Sequence, residues 1–399
     1  METRKYKDYL NNNITKDYKK ADERVVKDIT KKDLDIASKL EIADRVNCTT
    51  KRDTFITLKD HKPQYQNSPK FRVINPTKSE LGMVSKKMLS DIILEVKTKS
   101  QLVQFKNSEA AIDWFCDLKD KQKLHFIQFD VCNFYASITP GLLQNSITFA
   151  ANYTHISDEM KHTIFQAANS FLCSENSTWI KKNGGTFDIT MGSFHGAEVC
   201  DLVGLYLLSQ LVQVLPKNQI GLYRDDGLAV SSASRRQNDI LKKKICKIFE
   251  NNGLSITIDV NVKIVNFLDI TLDLSKGIYK PFMKENDQPI YVDMNSNHPP
   301  MVLKNIPMGV NRRLSRISAN KEVFDSSKAP YQEALRKSGY RYELKYEPPQ
   351  EKTKKKKTRS RPVTWFNPPF SLNVKSKVGK EFLTLLDTSF PPSSSPEVQ

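Results

Sequence analysis

Carboxylates that stand where a strand stops are the residues of this sequence best suited to chemistry. In the run Ile220-Gly221-Leu222-Tyr223-Arg224-Asp225-Asp226-Gly227-Leu228-Ala229-Val230, an apolar, β-prone stretch meets two adjacent acids and a glycine and turns apolar again. That is the pattern of a β-hairpin with two carboxylates at its tip. Well upstream, KLHFIQFDVCNFYASI (residues 123–138) reads as a strand that ends in Asp130 and passes into a turn or helix start. Each signal alone has a plainer meaning. An isolated Asp-Asp-Gly is more often a turn with solvated acids, a strand-terminal Asp a turn former or helix cap, and Phe134 and Tyr135 core aromatics. Together, Asp130, Asp225 and Asp226 offer the hard oxygens that Mg²⁺ prefers. Two such ions about 4 Å apart would activate a hydroxyl and stabilise the charge of an in-line phosphoryl displacement.

Other elements must place those acids. Residues 1–50 are rich in Lys, Asp and Glu, with Val25, Val26, Ile29, Leu34, Ile36, Leu40 and Ile42 at loosely helical spacing, which predicts charged helices without visible chemistry. Phe55 to Pro63 and Lys70 to Pro76 read as two short strands of a hairpin whose Lys59, Lys62, Lys70 and Arg72 suit phosphate oxygens; a solvated basic hairpin is the alternative. Ser85 to Val96 predicts an amphipathic helix, and after the strand and turn of 123–138 helical text follows to about Cys173. After the polar link Lys181-Lys182-Asn183-Gly184-Gly185, the small residues of Thr190 to Gly196 open an apolar helix over Ala197 to Leu215. A phosphate suits such a helix start, as does an ordinary N-cap. His195 reads as a loop or core histidine, because no second His or Cys lies at ligand spacing.

Downstream, Asn238 to Asn252 predicts an amphipathic helix closed by Gly253, and the alternation in Val265 to Leu274 predicts one half-buried strand. Gly277-Ile278-Tyr279 is a turn into the next strand, not a nuclease signature. His298 to Tyr340 is helical and basic, with Gly339 as its C-cap. The lysine run from Lys352 to Arg361 reads first as a solvated linker, with phosphate contact or nuclear import as alternatives, and the Pro/Ser tail as disordered.

Composition sets the class of partner. A formal net charge of +17 over 399 residues favours a polyanion, nucleic acid before membrane, and 39% hydrophobic residues suffice for a sizeable core in two or three subdomains. The six cysteines show no C-x-x-C pair, so neither a zinc site nor a disulfide framework is indicated. With a charged start and no apolar run of spanning length, the expectation is a reducing compartment, nuclear or cytoplasmic, without secretion or membrane insertion.

The ordered set of motifs resembles the reverse transcriptases, most closely those of Penelope-like retroelements. Phe129-Asp130-Val131 through Tyr135 resembles the first catalytic motif, Met191-Gly192-Ser193 the template-positioning turn, and Tyr223-Arg224-Asp225-Asp226 the Y-x-D-D box. Leu58-Lys59-Asp60-His61-Lys62-Pro63 and Arg72-Val73-Ile74 are similar to the fingers motifs, and Asn266 to Thr271 to the primer grip. Asn297-His298-Pro299-Pro300 through Tyr340, and Trp365-Phe366-Asn367-Pro368, resemble the Penelope-like thumb and post-thumb segment. The resemblance runs from about residue 45 to 390 in the right order, which is more specific than any one motif. Two departures stand out: Arg224 in a slot usually small or apolar, and Phe194-His195-Gly196-Ala197 around the template turn.

The resemblance implies an α+β right-hand fold of fingers, palm with an antiparallel sheet, and helical thumb. Its divisions would be a charged helical segment at 1–50, fingers with part of the palm at 51–122, and the palm with its catalytic motifs at 123–275. Thumb and connection would follow at 276–345, a basic linker at 346–362, the post-thumb segment at 363–390 and a disordered tail at 391–399. Asp130, Val131, Asp225 and Asp226 would hold two Mg²⁺ ions, with Mn²⁺ as an alternative, the three acids being catalytic. Lys59, Arg72, Tyr135, Gly192 and Ser193 would bind the nucleotide, Tyr135 crowding the sugar 2′ position, and Lys263 is a weaker candidate for protonating pyrophosphate. Tyr223, Arg224, Phe267, Leu268, Arg312 and Arg313 would touch nucleic acid. The implied activity is RNA-directed DNA polymerisation on an RNA template with a DNA primer and dNTPs. A truncated copy is expected, ending where relatives continue into a GIY-YIG endonuclease. A catalytically impaired nucleic-acid-binding protein is the alternative; a two-metal nuclease would leave the fingers motifs unexplained.

Overall fold

A computed structural model describes residues 3–44, 52–59, 69–77, 80–284, 288–348, 370–373 and 377–389. Cys48, Asp60 to Pro63, the lysine run, Trp365 to Pro368 and the tail after residue 390 lie outside the described residues. The chain divides into two compact units, Met1–Asn286 and Asp287–Gln399.

The first unit begins with α1 (Thr3–Asp17), β1 (Tyr18–Ala21), α2 (Glu23–Lys39), β2 (Phe55–Leu58) and β3 (Phe71–Ile74). It continues with α3 (Glu80–Ser100), α4 (Ser108–Asp117), β4 (His125–Val131), α5 (Phe134–Ser137), α6 (Pro140–Ala151), α7 (Asp158–Ala167), β5 (Leu172–Ser174), β6 (Ser177–Lys181) and α8 (Gly196–Leu211). The hairpin β7 (Ile220–Tyr223) and β8 (Asp226–Ser231) comes next. Then follow α9 (Arg235–Asn251), β9 (Ile256–Val262), β10 (Ile264–Phe267), β11 (Ile270–Asp273) and β12 (Ile278–Pro281).

The central sheet is antiparallel in the order β7-β8-β4-β9. In β4, Ile127, Phe129 and Val131 are buried on one face and alternate with half-exposed Gln128 and exposed Asp130, with Phe126 buried on the other face near the strand start. α8 explains the longest apolar stretch of the sequence: Leu202, Val203, Leu205, Leu207, Leu208 and Leu211 lie in the main core. A helix apolar all round must be enclosed. α3 contributes one face, Leu89, Ile92 and Val96, to the same core, and α9 contributes Ile245 and Phe249. Gly253, at φ 72, ends α9 as its spacing predicts.

One close approach fixes the middle of the sheet. Phe129 pairs across the ladder with Gly227, and a Cβ at Gly227 would lie 2.1 Å from the Phe129 ring. The ring fills that space and meets Phe249 edge-on, with centroids 5.4 Å apart.

Two sequence expectations are corrected. Residues 1–50 are not only helices: β1 pairs antiparallel with β6 in a second sheet, β1-β6-β5. The β5–β6 hairpin falls in text read as helix and polar link, and it turns through Glu175 and Asn176, both at positive φ as a two-residue I′ loop requires. Val265 to Leu274 is not one strand either. β10 and β11 turn at Leu268-Asp269, and Val265 and Phe267 of β10 are buried beside Ile270 and Leu272 of β11, with Leu268 left at the turn.

In the second unit, α10 (Pro300–Arg316) starts with proline at its first position, where no intrahelical donor is lost, and α11 (Lys321–Ser327) and α12 (Ala329–Lys337) follow. Leu314, Phe324, Leu335, Tyr340 and Leu344 form its core. Buried Asn311 holds the returning chain by donating to Glu347 and accepting from the Lys345 amide. Gly339 at φ 84 closes α12. α13 (Val378–Ser389) completes the element order. Among the described residues no helix is long and apolar enough to cross a membrane.

Two predictions follow from these contacts. Gly227→Ala should lower the urea-unfolding free energy by about 2–3 kcal/mol through overpacking, and Phe129→Leu in the same chain should recover part of the loss. The absence of such coupling would remove the account of the pair. His195 is 3% exposed, neither ring nitrogen has a hydrogen-bond partner among the described residues, and burial lowers its pKa to about 4 from the ordinary 6.5. The unfolded chain therefore takes up a proton below pH 6.5 that the folded chain refuses until about 4, so stability falls as pH drops through that window, by up to about 3 kcal/mol. His195→Leu should flatten that acid limb in denaturation curves; an unchanged slope would place its origin elsewhere.

Candidate active site

Tyr223 and Asp226 are the last pair of the β7–β8 ladder, so the loop is Arg224-Asp225 and not the Asp-Gly turn that the sequence allows. Arg224 sits at φ 53, the left-handed first position of a II′-like turn that favours glycine. Its guanidinium lies 3.7 Å from the Asp201 carboxylate on α8 and over the Tyr223 ring at 5.5 Å. The side chain is thus committed to the protein.

The turn brings the predicted acids together. Asp226 stands directly opposite Asp130 in the β4–β8 register, and the Val131 amide donates to the Asp225 carbonyl at 3.0 Å. Asp130 is exposed, and Asp225 and Asp226 are half-buried. Burial, then the charges of Asp225 and Asp130, push the Asp226 carboxyl up to about 7. A divalent cation would relieve that crowding, so the oxygen donors fit Mg²⁺ in charge and hardness. Among the described residues, however, no three His, Cys, Asp or Glu side chains already form a metal-holding cluster. The acids share a neighbourhood without a preformed cage.

Beside this end of β4 lies a cavity of about 450 Å³. Lys59, Arg72 and Tyr135 line it together, as their predicted role in nucleotide binding requires. Burial raises the Tyr135 phenol, so it stays neutral. Gly192 and Ser193 adjoin the lining residues Thr190 and Met191. Gly192 is at φ 108, and a Cβ there would meet the Asn75 carbonyl at 2.4 Å; the Asn75 amide donates to the Met191 carbonyl. Its role is to let the turn close on the chain leaving β3. The Ser193 hydroxyl donates to the Thr190 carbonyl at 3.0 Å.

Sequence reasoning gave no role to several of the lining residues, among them Lys16, Tyr18, Lys181, Lys182 and Asp188. The Lys181-Lys182 pair was visible, but its partner strand β1 was hidden in text that reads as helix. Five other candidates lie elsewhere. Phe267 is buried with its ring 5.6 Å from Phe105, so it supports the Leu268-Asp269 turn instead of offering a surface to nucleic acid. Leu268 is half-exposed at φ 54. Lys263 donates to the Gln122 and Leu124 carbonyls at 2.7 and 2.6 Å, which ties it to the backbone. Arg312 and Arg313 are exposed on α10 of the second unit.

The left-handed turn predicts an ordering of variants. Arg224→Gly should stay within about 1 kcal/mol of the parent, because relief of strain offsets the half-exposed ion pair, whereas Arg224→Val should cost about 2 kcal/mol more than Gly. Equal stability of the two in urea would remove the strained-turn account.

No family model matches the sequence, and none of the curated proteins does. Among solved structures the chain is similar to telomerase from Candida albicans in complex with the TWJ fragment of telomeric RNA, with TM-score 0.53 and 12% identity over 84% of this chain and 57% of that one. A truncated apo telomerase from Candida tropicalis gives TM-score 0.40 and 13% identity over 55% and 46% of the two chains. The RNA-dependent RNA polymerase of a human picobirnavirus gives 0.48 and 10% over 83% and 78%. This chain spans about half the length of the telomerase chains it matches. The fold is the α+β right-hand fold of polymerases.

Proposed function

We propose that this chain is an RNA-directed DNA polymerase, a nucleotidyltransferase of the Penelope-like reverse transcriptase type that extends a DNA primer on an RNA template with dNTPs. The observation that carries this reading is the convergence of Asp130, Asp225 and Asp226 at adjoining backbone positions, next to a cavity that holds Lys59, Arg72 and Tyr135.

In this reading Lys59 and Arg72 neutralise the triphosphate, Arg72 through its fork of donors and Lys59 as a point charge. Tyr135, kept neutral by burial, packs against the sugar and crowds a 2′-hydroxyl. Asp130, Asp225 and Asp226 would hold two Mg²⁺ ions, or Mn²⁺ in their place, which supply Lewis-acid stabilisation of the transferring phosphoryl group. The β4–β8 ladder holds the backbone positions of Asp130 and Asp226 opposite each other, so gathering the carboxylates around the ions is left to side-chain movement. The exposed arginines of α10 supply salt-sensitive phosphate contacts. The scattered cysteines and basic charge accord with work in the nucleus or cytoplasm.

A second reading, a retroelement-derived protein that binds nucleic acid without catalysis, draws support from the lack of a preformed metal cluster among the described residues and from the commitment of Arg224 to Asp201.

Primer extension on an RNA template with Mg²⁺ tests the first reading. The parent chain should incorporate dNTPs, and Asp225→Asn should reduce the rate by at least about 100-fold. Equal rates would sink the assignment, and tight RNA binding without incorporation under either ion would establish the second reading.

A further inference from the structure

The N-terminal segment is built into the cavity beside the acids. β1 pairs with β6 so that Tyr18 stands opposite Lys181, and the neighbouring Lys182 amide donates to the Asp17 carbonyl at 3.0 Å. The Lys182 ammonium donates to the Lys16 carbonyl at 3.1 Å, where α1 ends. Lys16, Asp17 and Tyr18 all line the cavity.

Behind this wall runs a polar chain. Asp188 is 4% exposed; the Tyr18 hydroxyl donates to one of its oxygens at 2.7 Å, and the Lys181 ammonium lies 3.3 Å from the other. The same ammonium donates to the Ala136 carbonyl at 2.6 Å. Ala136 is in α5, next to Tyr135. A helix of four residues has almost no stability of its own, because the cost of nucleation is not recovered over so short a length. Its position depends on what grips it. A buried carboxylate with two donors is a strong grip, since losing either donor leaves a charge short of its partner.

We propose that the junction of α1 and β1 forms one wall of the nucleotide pocket and that Tyr18, Asp188 and Lys181 are positioning residues that hold α5, and with it Tyr135, against a bound deoxynucleoside triphosphate. This rests on the reading of the cavity as a nucleotide site. It assigns the N-terminal segment a role that its charge pattern does not suggest. The residues come from three distant parts of the sequence and meet only through the β1–β6 register.

The test is equilibrium binding of dTTP to the full chain, measured apart from primer extension. Tyr18→Phe and Lys181→Met should each weaken dTTP binding about tenfold at a temperature where both variants remain folded, more than their lowered unfolding midpoints account for and with RNA affinity near the parent's, and Lys181→Arg should recover most of the loss. In extension assays the same variants should raise the dNTP KM and leave kcat within about twofold. If dTTP binding is unchanged in both variants, or falls only in step with unfolding, the inference is overturned. If the parent binds dTTP in a Lys181-dependent way but extends no primer, the polymerase reading fails and the inference stands.

Discussion

Opposing Asp130 to Asp226 across a β-ladder is the arrangement on which the rest of the first unit depends, because like charges facing each other weaken a strand pair. The ladder must be held by its neighbours. Phe129 and Gly227, one residue along, provide the closest contact in the sheet, with the ring occupying the space a side chain at 227 would need. Ile127 and Val131 on β4, with α8 behind them, add fully buried apolar surface at roughly 1.5–3 kcal/mol per large side chain. The carboxyl of Asp226 registers the cost as an acid pushed toward neutrality by burial and by its two acidic neighbours. A site that crowds anions this way has an electrostatic reason to take up a cation, though the donors do not yet form a cage.

The two hairpin turns next to the acids share a device. Arg224 and Leu268 each take the left-handed first position of a two-residue loop where glycine is easiest, and each is held from outside its own hairpin. Arg224 is drawn to Asp201 of α8, and Asp269, which follows Leu268, accepts a hydrogen bond from Ser108 at the start of α4. Strain of this kind persists where surrounding structure over-determines the conformation. Here it fixes the direction of Asp225 and the placing of the β10–β11 hairpin. Arg224, which looks anomalous in a Y-x-D-D box, becomes an anchor between the box and the helix behind it.

The cavity wall shows how far a site reaches in sequence. Lys59 and Arg72 come from the β2–β3 hairpin, Tyr135 from the turn after β4, and Tyr18 and Lys181 from the paired strands β1 and β6. Gly192 joins two of these parts, since only a residue without Cβ lets its turn close on Asn75.

Local pattern determined what depends on near neighbours. The β4 strand ending at Asp130, the β7–β8 hairpin, the amphipathic faces of α3 and α9, and the glycine stops at Gly253 and Gly339 all follow from periodicity and backbone preference. So did the ordered motifs, which grouped Asp130 with Asp225 and Asp226 and Lys59 with Arg72 before any contact was known. The tertiary structure decided the rest. It turned 265–274 into a hairpin, enclosed Phe267, tied Lys263 to carbonyls and drew Arg224 to Asp201. It also made a strand of Tyr18–Ala21, a lysine-rich tetrapeptide with no strand pattern, because its stability comes from backbone bonds to β6. Pairing between segments far apart in sequence leaves no local period to read, and the wall of the site is made of such pairing.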